Sequence, residues 1–172
     1  MSARQLALVS LFMALVAVAT MLVRVPIPQT SGYMNLGDSV VLLCGVFFGP
    51  GFGFMAGGIG SALADILGGY PQWAPWTLAI KGTEAMLVGL AVRLLKLDPS
   101  RTTPLMVLCF VVCTAWMVCG YYVTEVFMYD QKAALAELPA NLVQAGGSVV
   151  LASLLVPVFS RIMPSQPAPP GA

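Results

Sequence analysis

The chain has 172 residues, of which 59% are hydrophobic and 9% are charged, with a formal net charge of +1. A soluble domain carries about 25% charged residues, so this composition excludes a water-soluble fold and indicates a membrane protein. Lys and Arg are scattered singly, which excludes nucleic-acid binding. Histidine is absent, which removes Ser-His and Cys-His catalysis, HExxH zinc sites and bis-His haem ligation.

Uninterrupted apolar length and helix breakers predict six membrane-spanning helices. The predicted spans cover residues 6–23, 36–48, 52–67, 76–95, 105–129 and 141–163. The first also resembles a signal peptide with an Ala17-Val18-Ala19 cleavage site, but the apolar run continues to Val23, which favours a span. The second has only about a dozen apolar residues, a length that fits a re-entrant segment as readily as a full span.

Glycine and proline mark the connections between the predicted spans. Gly49-Pro50-Gly51 is too short to cross the bilayer, so the second and third runs are expected to form a hairpin. The Pro-rich residues 164–172 are expected to be a disordered cytoplasmic tail. The fold expected from these features is an all-α membrane protein, a compact six-helix bundle in which residues 1–163 form one transmembrane domain with a short second helix.

The distribution of basic residues predicts the orientation of the bundle. With the N-terminus inside, five basic residues lie on the cytoplasmic side and two, Arg24 and Lys132, lie outside. The five are Arg4, Arg93, Lys96, Arg101 and Arg161. Since Lys and Arg accumulate on the cytoplasmic side, an N-in and C-in topology is expected.

Polar side chains are concentrated in the half of the bundle that this topology places outside. In the fourth span, for example, Thr77, Lys81 and Glu84 share one helical face. Ionisable groups are costly in a membrane and mark functional sites. The inner half offers no polar path, so a one-sided pocket is predicted. Its predicted substrate-binding residues are Asn35, Asp38, Trp76, Lys81, Glu84, Tyr121, Glu125, Asn141 and Gln144.

Simpler structural roles compete with this interpretation. Lys81 and Glu84 can neutralise each other, and Asp38 and Asp65 are expected to organise the outer loops by pairing with Arg24 or Lys81 or by capping helix ends. Tyr33, Trp73 and Trp76 fit an interfacial belt or a roof over the pocket. Around the predicted pocket, two bases, Lys81 and Arg24, face four acids, Asp38, Asp65, Glu84 and Glu125. This excess of acids favours a neutral or cationic ligand, unless burial keeps some carboxyls protonated.

Small residues form a strip along the first predicted helix, at Ala3, Ala7, Ser10 and Ala14. Such strips let helices approach closely in lipid. The strip therefore indicates either packing within the chain or a docking surface for a partner subunit. No metal site, cofactor or enzymatic activity is expected, and without a Walker lysine motif the chain cannot use ATP to energise transport by itself.

Three local strings resemble a known family, the substrate-binding S components of energy-coupling factor (ECF) vitamin transporters. They are residues 32–38 (GYMNLGD), residues 57–70 (GGIGSALADILGGY) followed by residues 81–84 (KGTE), and residues 139–144 (PANLVQ). Together with the predicted spans and the small-residue strip, the resemblance extends over nearly the whole chain. The resemblance is to the branch of this family that includes the riboflavin, pyridoxine and hydroxymethylpyrimidine types.

The resemblance implies a subunit that captures a water-soluble vitamin in an outward-facing pocket and delivers it by reorienting in a prokaryotic plasma membrane. It also implies partners, a transmembrane coupling subunit that contacts the strip of the first helix and two ABC ATPases. Pyridoxine or a hydroxymethylpyrimidine is the expected ligand, ahead of pantothenate and riboflavin. The alternatives are a proton-coupled carrier and a non-catalytic assembly subunit.

Overall fold

The computed structural model describes residues 3–163, so the predicted tail at residues 164–172 lies outside the described residues. The chain is mostly helical within that range. The helices are α1 Ala3–Leu22, α2 Gly37–Phe54, α3 Gly60–Gly68, α4 Ala74–Leu94, α5 Pro104–Met128 and α6 Gln131–Phe159, with a π-helical segment, Met55–Ile59, between α2 and α3.

An antiparallel hairpin of two strands, β1 Arg24–Ile27 and β2 Gly32–Asn35, connects α1 to α2. Arg24 pairs with Asn35 at its base and Ile27 pairs with Gly32 near its tip. The sequence predicts only a loop here, because Pro26 and Pro28 are usually chain breakers. A proline is tolerated in an isolated strand pair, where one side of each strand has no neighbour to bond.

The prediction for the region between the hairpin and α4 is two helices joined at Gly49-Pro50-Gly51. Helix α2, the π-helical segment and α3 follow one another without a loop over Gly37–Gly68, and this run joins two helices across a kink. Gly49 interrupts its geometry with φ 71° and ψ −171°, a conformation available essentially to glycine alone. Five separate helical runs thus occupy residues 3–163, and the predicted count of six is not confirmed.

Four helical runs are long and apolar enough to cross a membrane: α1, Gly37–Gly68, α5 and α6. Helix α4 lies among them and carries Lys81, Glu84 and Arg93. This composition makes the chain a multi-pass membrane protein.

Helix α6 begins ten residues earlier than predicted. Asp130 caps its first turn, with Oδ1 accepting a hydrogen bond from the Ala133 amide at 2.8 Å. Pro139 lies inside the helix, whereas the prediction treats it as part of the preceding loop. The earlier start brings Glu137 onto the helix, two turns before Gln144.

The apolar core fills the end of the bundle away from the hairpin. Phe12 packs edge-on against Phe48 at 4.9 Å and near Phe159 at 5.6 Å between ring centroids. Glycine allows the helices to pack closely beside this core: a Cβ added at Gly58 would lie 2.8 Å from the Leu78 carbonyl oxygen of α4. Such small-residue contacts let helix backbones approach in membrane proteins.

Candidate functional site

A polar cavity lies at the hairpin end of the bundle, where α1, α3 and α5 end and α4 and α6 begin. It encloses about 430 Å³ of space not filled by atoms, part of it open to solvent. The residues that line it are Thr20, Gly32, Tyr33, Asn35, Ser61, Asp65, Trp73, Thr77, Lys81, Tyr121, Glu137, Asn141 and Gln144.

Five of the nine predicted pocket residues line the cavity. They are Asn35, Lys81, Tyr121, Asn141 and Gln144. Asp38, Glu84 and Glu125 are fully buried and support lining residues from behind. Helical periodicity explains this result, because polar residues three or four positions apart lie on one face of a helix.

Lys81 is the basic residue of the cavity lining and is 2% exposed. Its Nζ forms an ion pair with the Asp38 carboxylate, and Glu84 Oε2 lies 3.9 Å away. Gln144 Nε2 donates to the other Asp38 oxygen at 2.9 Å. The pairing of a lysine with an aspartate offsets the cost of placing either charge inside a membrane protein.

Helix α6 supplies two amide side chains that connect the site to its surroundings. Gln144 Oε1 accepts a hydrogen bond from the Asn35 amide at 2.7 Å, which fixes the end of β2 against α6. Asn141 Nδ2 donates to Glu125 Oε1 at 3.1 Å. These bonds hold both amides in fixed orientations beside the cavity.

The hairpin covers the cavity and is fastened to the helices by side-chain hydrogen bonds. Tyr33 donates its hydroxyl to Asp65 Oδ1 at 2.5 Å, and Thr30 donates to Glu137. Trp73 Nε1 donates to the Ser31 carbonyl at 3.2 Å. Burial and the adjacent Asp65 carboxylate raise the pKa of Tyr33 well above its usual value, so this tyrosine stays a hydrogen-bond donor at physiological pH.

Aromatic rings lie on one side of the cavity. The rings of Trp73 and Tyr121 have centroids 6.0 Å apart, and Lys81 Nζ is 5.1 Å from the Tyr121 centroid. Tyr121 donates its hydroxyl to Thr77 Oγ1 at 3.1 Å. The arrangement provides flat apolar surface next to polar groups, which suits a heterocyclic ligand.

The structure places Trp73, not Trp76, at the cavity. Trp76 is 37% exposed and packs against Phe127, with ring centroids 5.9 Å apart. One residue turns a helix by about 100°, so Trp76 points away from the face that carries Thr77. Trp73 lies four residues before Thr77 and shares that face, a signal already present in the sequence.

Several lining residues were not among the predicted set. Glu137 belongs to the same face as Asn141 and Gln144, and extending that periodicity would have identified it. Ser61 lies four positions before Asp65 in α3, so the same periodicity would have identified it, whereas Thr20 has no such partner within α1. Asp65 accepts the bond from Tyr33, and the Arg24 guanidinium donates to the Gly68 carbonyl at 3.2 Å. Within residues 3–163, neither Arg24 nor Lys81 comes within 4 Å of the Asp65 carboxylate as an ion pair.

The small-residue strip of α1 faces away from the rest of the described chain. Ala3, Ala7, Ser10 and Ala14 are all exposed, whereas Val9, Phe12, Val16 and Thr20 form the buried face of the same helix. Close packing within the chain therefore does not account for the strip. Within residues 3–163, no group of three or more Cys, Asp and Glu side chains is placed to hold a metal ion.

Comparison with known proteins gives consistent matches over nearly the full length. The family model described as "ECF-type riboflavin transporter, S component" matches residues 1–161. An uncharacterized protein of Pyrococcus woesei is 42% identical over 79% of this chain and 88% of its own length. The thiamine precursor transporter HmpT of Lactococcus lactis subsp. cremoris is 29% identical over 92% of this chain and 89% of its own length.

Two solved structures share the fold. An S-component for biotin from an ECF-type ABC transporter superposes with a TM-score of 0.75 at 19% identity, over 94% of each chain. The S component of a bacterial ECF transporter superposes with a TM-score of 0.72 at 18% identity, over 92% of this chain and 96% of its own.

Proposed function

Since the chain belongs to the family of ECF-type riboflavin transporter S components, we propose that it captures a small water-soluble vitamin or vitamin precursor in the cavity under the hairpin. The family is one of transporter subunits and not of enzymes. The cavity supplies hydrogen-bonding groups beside aromatic rings, the combination that small-molecule sites use for orientation and affinity.

The observation that carries this proposal is the one-sided distribution of polarity. The cavity lies at one end of the bundle, and the buried cluster beyond it consists of apolar side chains such as Phe12, Leu42 and Phe110. A solute bound in the cavity has no polar path to the other end. Delivery then requires the whole subunit to reorient, as expected for a capture subunit that works with partners.

We propose that the cavity opens to the outside. Arg4, Arg93, Lys96, Arg101 and Arg161 lie at the opposite end, and the positive-inside tendency makes that end cytoplasmic in a prokaryotic plasma membrane. The reversal at Gly49 divides the run Gly37–Gly68 into a short second crossing and a third. The proposed topology is therefore six crossings in a single membrane domain, residues 1–163, with both termini inside.

The proposed ligand is a small heterocycle, with pyridoxine or a hydroxymethylpyrimidine ahead of pantothenate and riboflavin. The relative named as a thiamine precursor transporter supports the hydroxymethylpyrimidine type. Asn35, Lys81, Tyr121, Asn141 and Gln144 are the proposed contacts, and Asp38, Glu84 and Glu125 are proposed to hold them in place.

The proposed partners are a transmembrane coupling subunit and two ABC ATPases that hydrolyse ATP for transport. The exposed strip of Ala3, Ala7, Ser10 and Ala14 is the proposed docking surface for the coupling subunit. Small side chains there allow a partner helix to approach the α1 backbone closely.

The alternative functions account for less of the structure. A proton-coupled carrier needs ionisable groups across the membrane, whereas the apolar cluster below the cavity interrupts any relay from Glu84. An assembly subunit explains the strip on α1 but not a lined and covered polar cavity. Vitamin capture accounts for both features.

Isothermal titration of the detergent-purified chain against pyridoxine, hydroxymethylpyrimidine, pantothenate and riboflavin tests the proposal. We expect saturable heat with pyridoxine or the hydroxymethylpyrimidine in the absence of any partner subunit. Absence of heat with every vitamin, in protein that shows cooperative thermal unfolding, would refute capture by this chain.

A further inference from the structure

One corner of the cavity, where α1 meets β2 and α3, carries hydroxyl groups that the fold itself does not use. Thr20 and Ser61 supply these hydroxyls, and the side chain of Asn35 belongs to the same lining. We infer that this corner is a subsite for an aliphatic hydroxyl of the ligand, in preference to the methyl analogue or the phosphate ester of that alcohol. The inference rests on the proposed vitamin-capture function and specifies its substrate class.

Thr20 is a polar residue on an otherwise apolar face of α1. The buried side chains of this helix are Val9, Phe12, Val16 and Thr20. Thr20 is 3% exposed, and its Oγ1 is buried without a hydrogen-bond partner among residues 3–163. A helical threonine often donates to the carbonyl one turn earlier, as Thr114 does to Phe110 at 3.0 Å. Thr20 makes no such bond, so a costly unpaired hydroxyl is left at the cavity.

Gly37, the first residue of α2, makes room for this hydroxyl. A Cβ at Gly37 would overlap Thr20 Oγ1 and would lie 2.9 Å from Asn35 Oδ1. The missing side chain therefore lets the hydroxyl of α1 lie beside the side-chain amide at the end of β2. Asn35 Oδ1 accepts from the Gly37 backbone N–H at 2.8 Å, which orients this amide and leaves its NH₂ group available to the cavity.

Ser61 brings a second hydroxyl to the corner from α3. It is 3% exposed and lines the cavity. No hydrogen bond joins its hydroxyl to another group in the part of the chain that the structure describes. Hydroxyls of serine and threonine can each donate and accept. The corner thus presents two such hydroxyls and the NH₂ group of Asn35, none of which carries a charge.

The charged side chains that α3 and α4 contribute to the lining already have partners. Asp65 accepts hydrogen bonds from Tyr33 and Thr77, and Lys81 Nζ is paired with Asp38. A carboxylate or phosphate in this corner would lack an unpaired cation and would be repelled by Asp65. An ammonium group would compete for a carboxylate that is already hydrogen-bonded. Both kinds of ion lose their hydration in a buried site, so a neutral ligand group is favoured.

A hydroxyl is the neutral group that matches this corner. It donates one hydrogen bond and accepts others, so it can pair with Thr20 Oγ1 in either direction and accept from the Asn35 NH₂ group. A methyl group in its place would leave Oγ1 unpaired. Sites that hydrogen-bond a substrate hydroxyl discriminate strongly against the analogue that lacks it.

Titration calorimetry with matched alcohol and methyl probes tests the inference. The alcohols are the hydroxymethylpyrimidine and pyridoxine, and in the analogues each hydroxymethyl group is replaced in turn by methyl. For the vitamin that binds, we expect one such replacement to weaken binding at least about tenfold, because a buried hydroxyl of the protein loses its partner. The phosphate ester of the same hydroxyl should also bind more weakly than the alcohol.

Thr20→Val and Thr20→Ser form the decisive pair of variants. Valine keeps the shape of threonine without its hydroxyl, so the preference for the alcohol over the methyl analogue should fall by about tenfold. Serine keeps the hydroxyl and should keep most of that preference. Thr20→Val should not lower the thermal unfolding temperature of the ligand-free protein, because Oγ1 has no internal hydrogen bond to lose.

The outcomes separate the subsite from the function on which it rests. If a vitamin binds but no methyl analogue is disfavoured, or if Thr20→Val keeps the preference for the alcohol, the subsite alone is refuted. If Thr20→Val lowers thermal stability and weakens both probes equally, Thr20 has a structural role and the subsite is again refuted. If no vitamin binds to the folded protein, the proposed function fails together with it.

Discussion

Lys81 and Asp38 form a buried ion pair that connects α4 to α2 beneath the cavity. Removing one member of such a pair leaves an unpaired charge in a nearly dry environment, which is far more costly than removing both. Asp38 keeps a second partner in Gln144. The pair therefore contributes to the stability of the site whether or not a ligand is present.

Lys81→Met should lower the stability of the detergent-solubilised protein by about 3–5 kcal/mol, because Asp38 loses its counter-charge. The double variant Lys81→Met/Asp38→Asn restores neutrality and keeps an acceptor for Gln144, so it should recover most of the loss. Thermal unfolding, monitored by circular dichroism, measures the stability of the single and the double variant. A double variant no more stable than the single one would contradict the ion-pair account.

Asn141→Ala should weaken vitamin binding about tenfold or more, because it removes a cavity-lining amide and leaves Glu125 Oε1 without its donor. The neighbouring Leu142→Ala is the matched control, since Leu142 is 56% exposed on the outer face of α6. Calorimetric titration of both variants measures the effect. If the two variants bind the vitamin with equal affinity, the ligand lies away from α6.

The sequence predicted cavity residues that share a helical face with other polar residues better than it predicted cavity residues without such neighbours. Periodicity identified Lys81, Asn141 and Gln144, because three or four residues bring a side chain back to one face. It did not identify Thr20, whose polar neighbour at helical spacing, Arg24, lies beyond the end of α1. The pairing of Asp65 with Tyr33 depends on a strand that the sequence did not predict.

At the scale of elements, the hairpin determines access to the cavity. It has only two short strands, and such a hairpin is marginally stable by itself in water. Its bonds to α3, α4 and α6 hold it in position. The sequence offered Tyr33 and Trp73 for a roof over the pocket, but it did not predict the strands or these hydrogen bonds, because each partner lies at least 32 positions away in sequence.

Tyr33→Phe should lower the free energy of unfolding at neutral pH. The difference in that free energy between the variant and the unmodified protein should become smaller above about pH 10. The reason is that the pKa of Tyr33 is raised in the folded protein. Between its unfolded and folded pKa values only the unfolded state loses the proton, so this stabilisation is complete below about pH 10 and declines above it.

Thermal unfolding across alkaline pH measures this effect. Tyr122→Phe, which alters a tyrosine of α5 that does not line the cavity, is the control. A constant difference between Tyr33→Phe and the unmodified protein across alkaline pH would show that the hydroxyl does not act as a buried donor.

The exposed strip of α1 yields a prediction about partner docking. Ala7→Trp or Ala14→Trp should leave vitamin binding by the isolated chain unchanged and abolish uptake by the assembled transporter, because a large ring blocks close helix approach. Leu11→Trp, at an exposed position that is already large, should affect uptake less. Normal uptake by the Ala7 and Ala14 variants would show that the strip is not a docking surface.

At the scale of the whole molecule, composition and apolar length predicted a helical membrane protein correctly. The break at Gly49 within the run Gly37–Gly68 coincides with the predicted connection Gly49-Pro50-Gly51, although no loop separates the helices there. The boundary of α6 was missed because Asp130 caps a helix that continues through Pro139. Proline is a weaker breaker where neighbouring helices satisfy the freed backbone groups.

The proposed orientation predicts a specific labelling pattern in cells. In a variant with the four native cysteines replaced by alanine, Gln72→Cys should react with a membrane-impermeant thiol reagent. Ser100→Cys should react only after permeabilisation. Both positions are exposed and lie in loops at opposite ends of the bundle. The reverse pattern would invert the topology and place the cavity on the cytoplasmic side.

The bonds that fasten the hairpin also have a kinetic consequence. A molecule beneath it leaves only when the contacts of Tyr33, Thr30 and Trp73 open together, so the opening rate limits both entry and escape. Association should then reach a plateau as ligand concentration rises, and bound molecules should have long residence times. Slow exchange suits the proposed capture of a vitamin, because the ligand is retained until the proposed partner subunits are engaged.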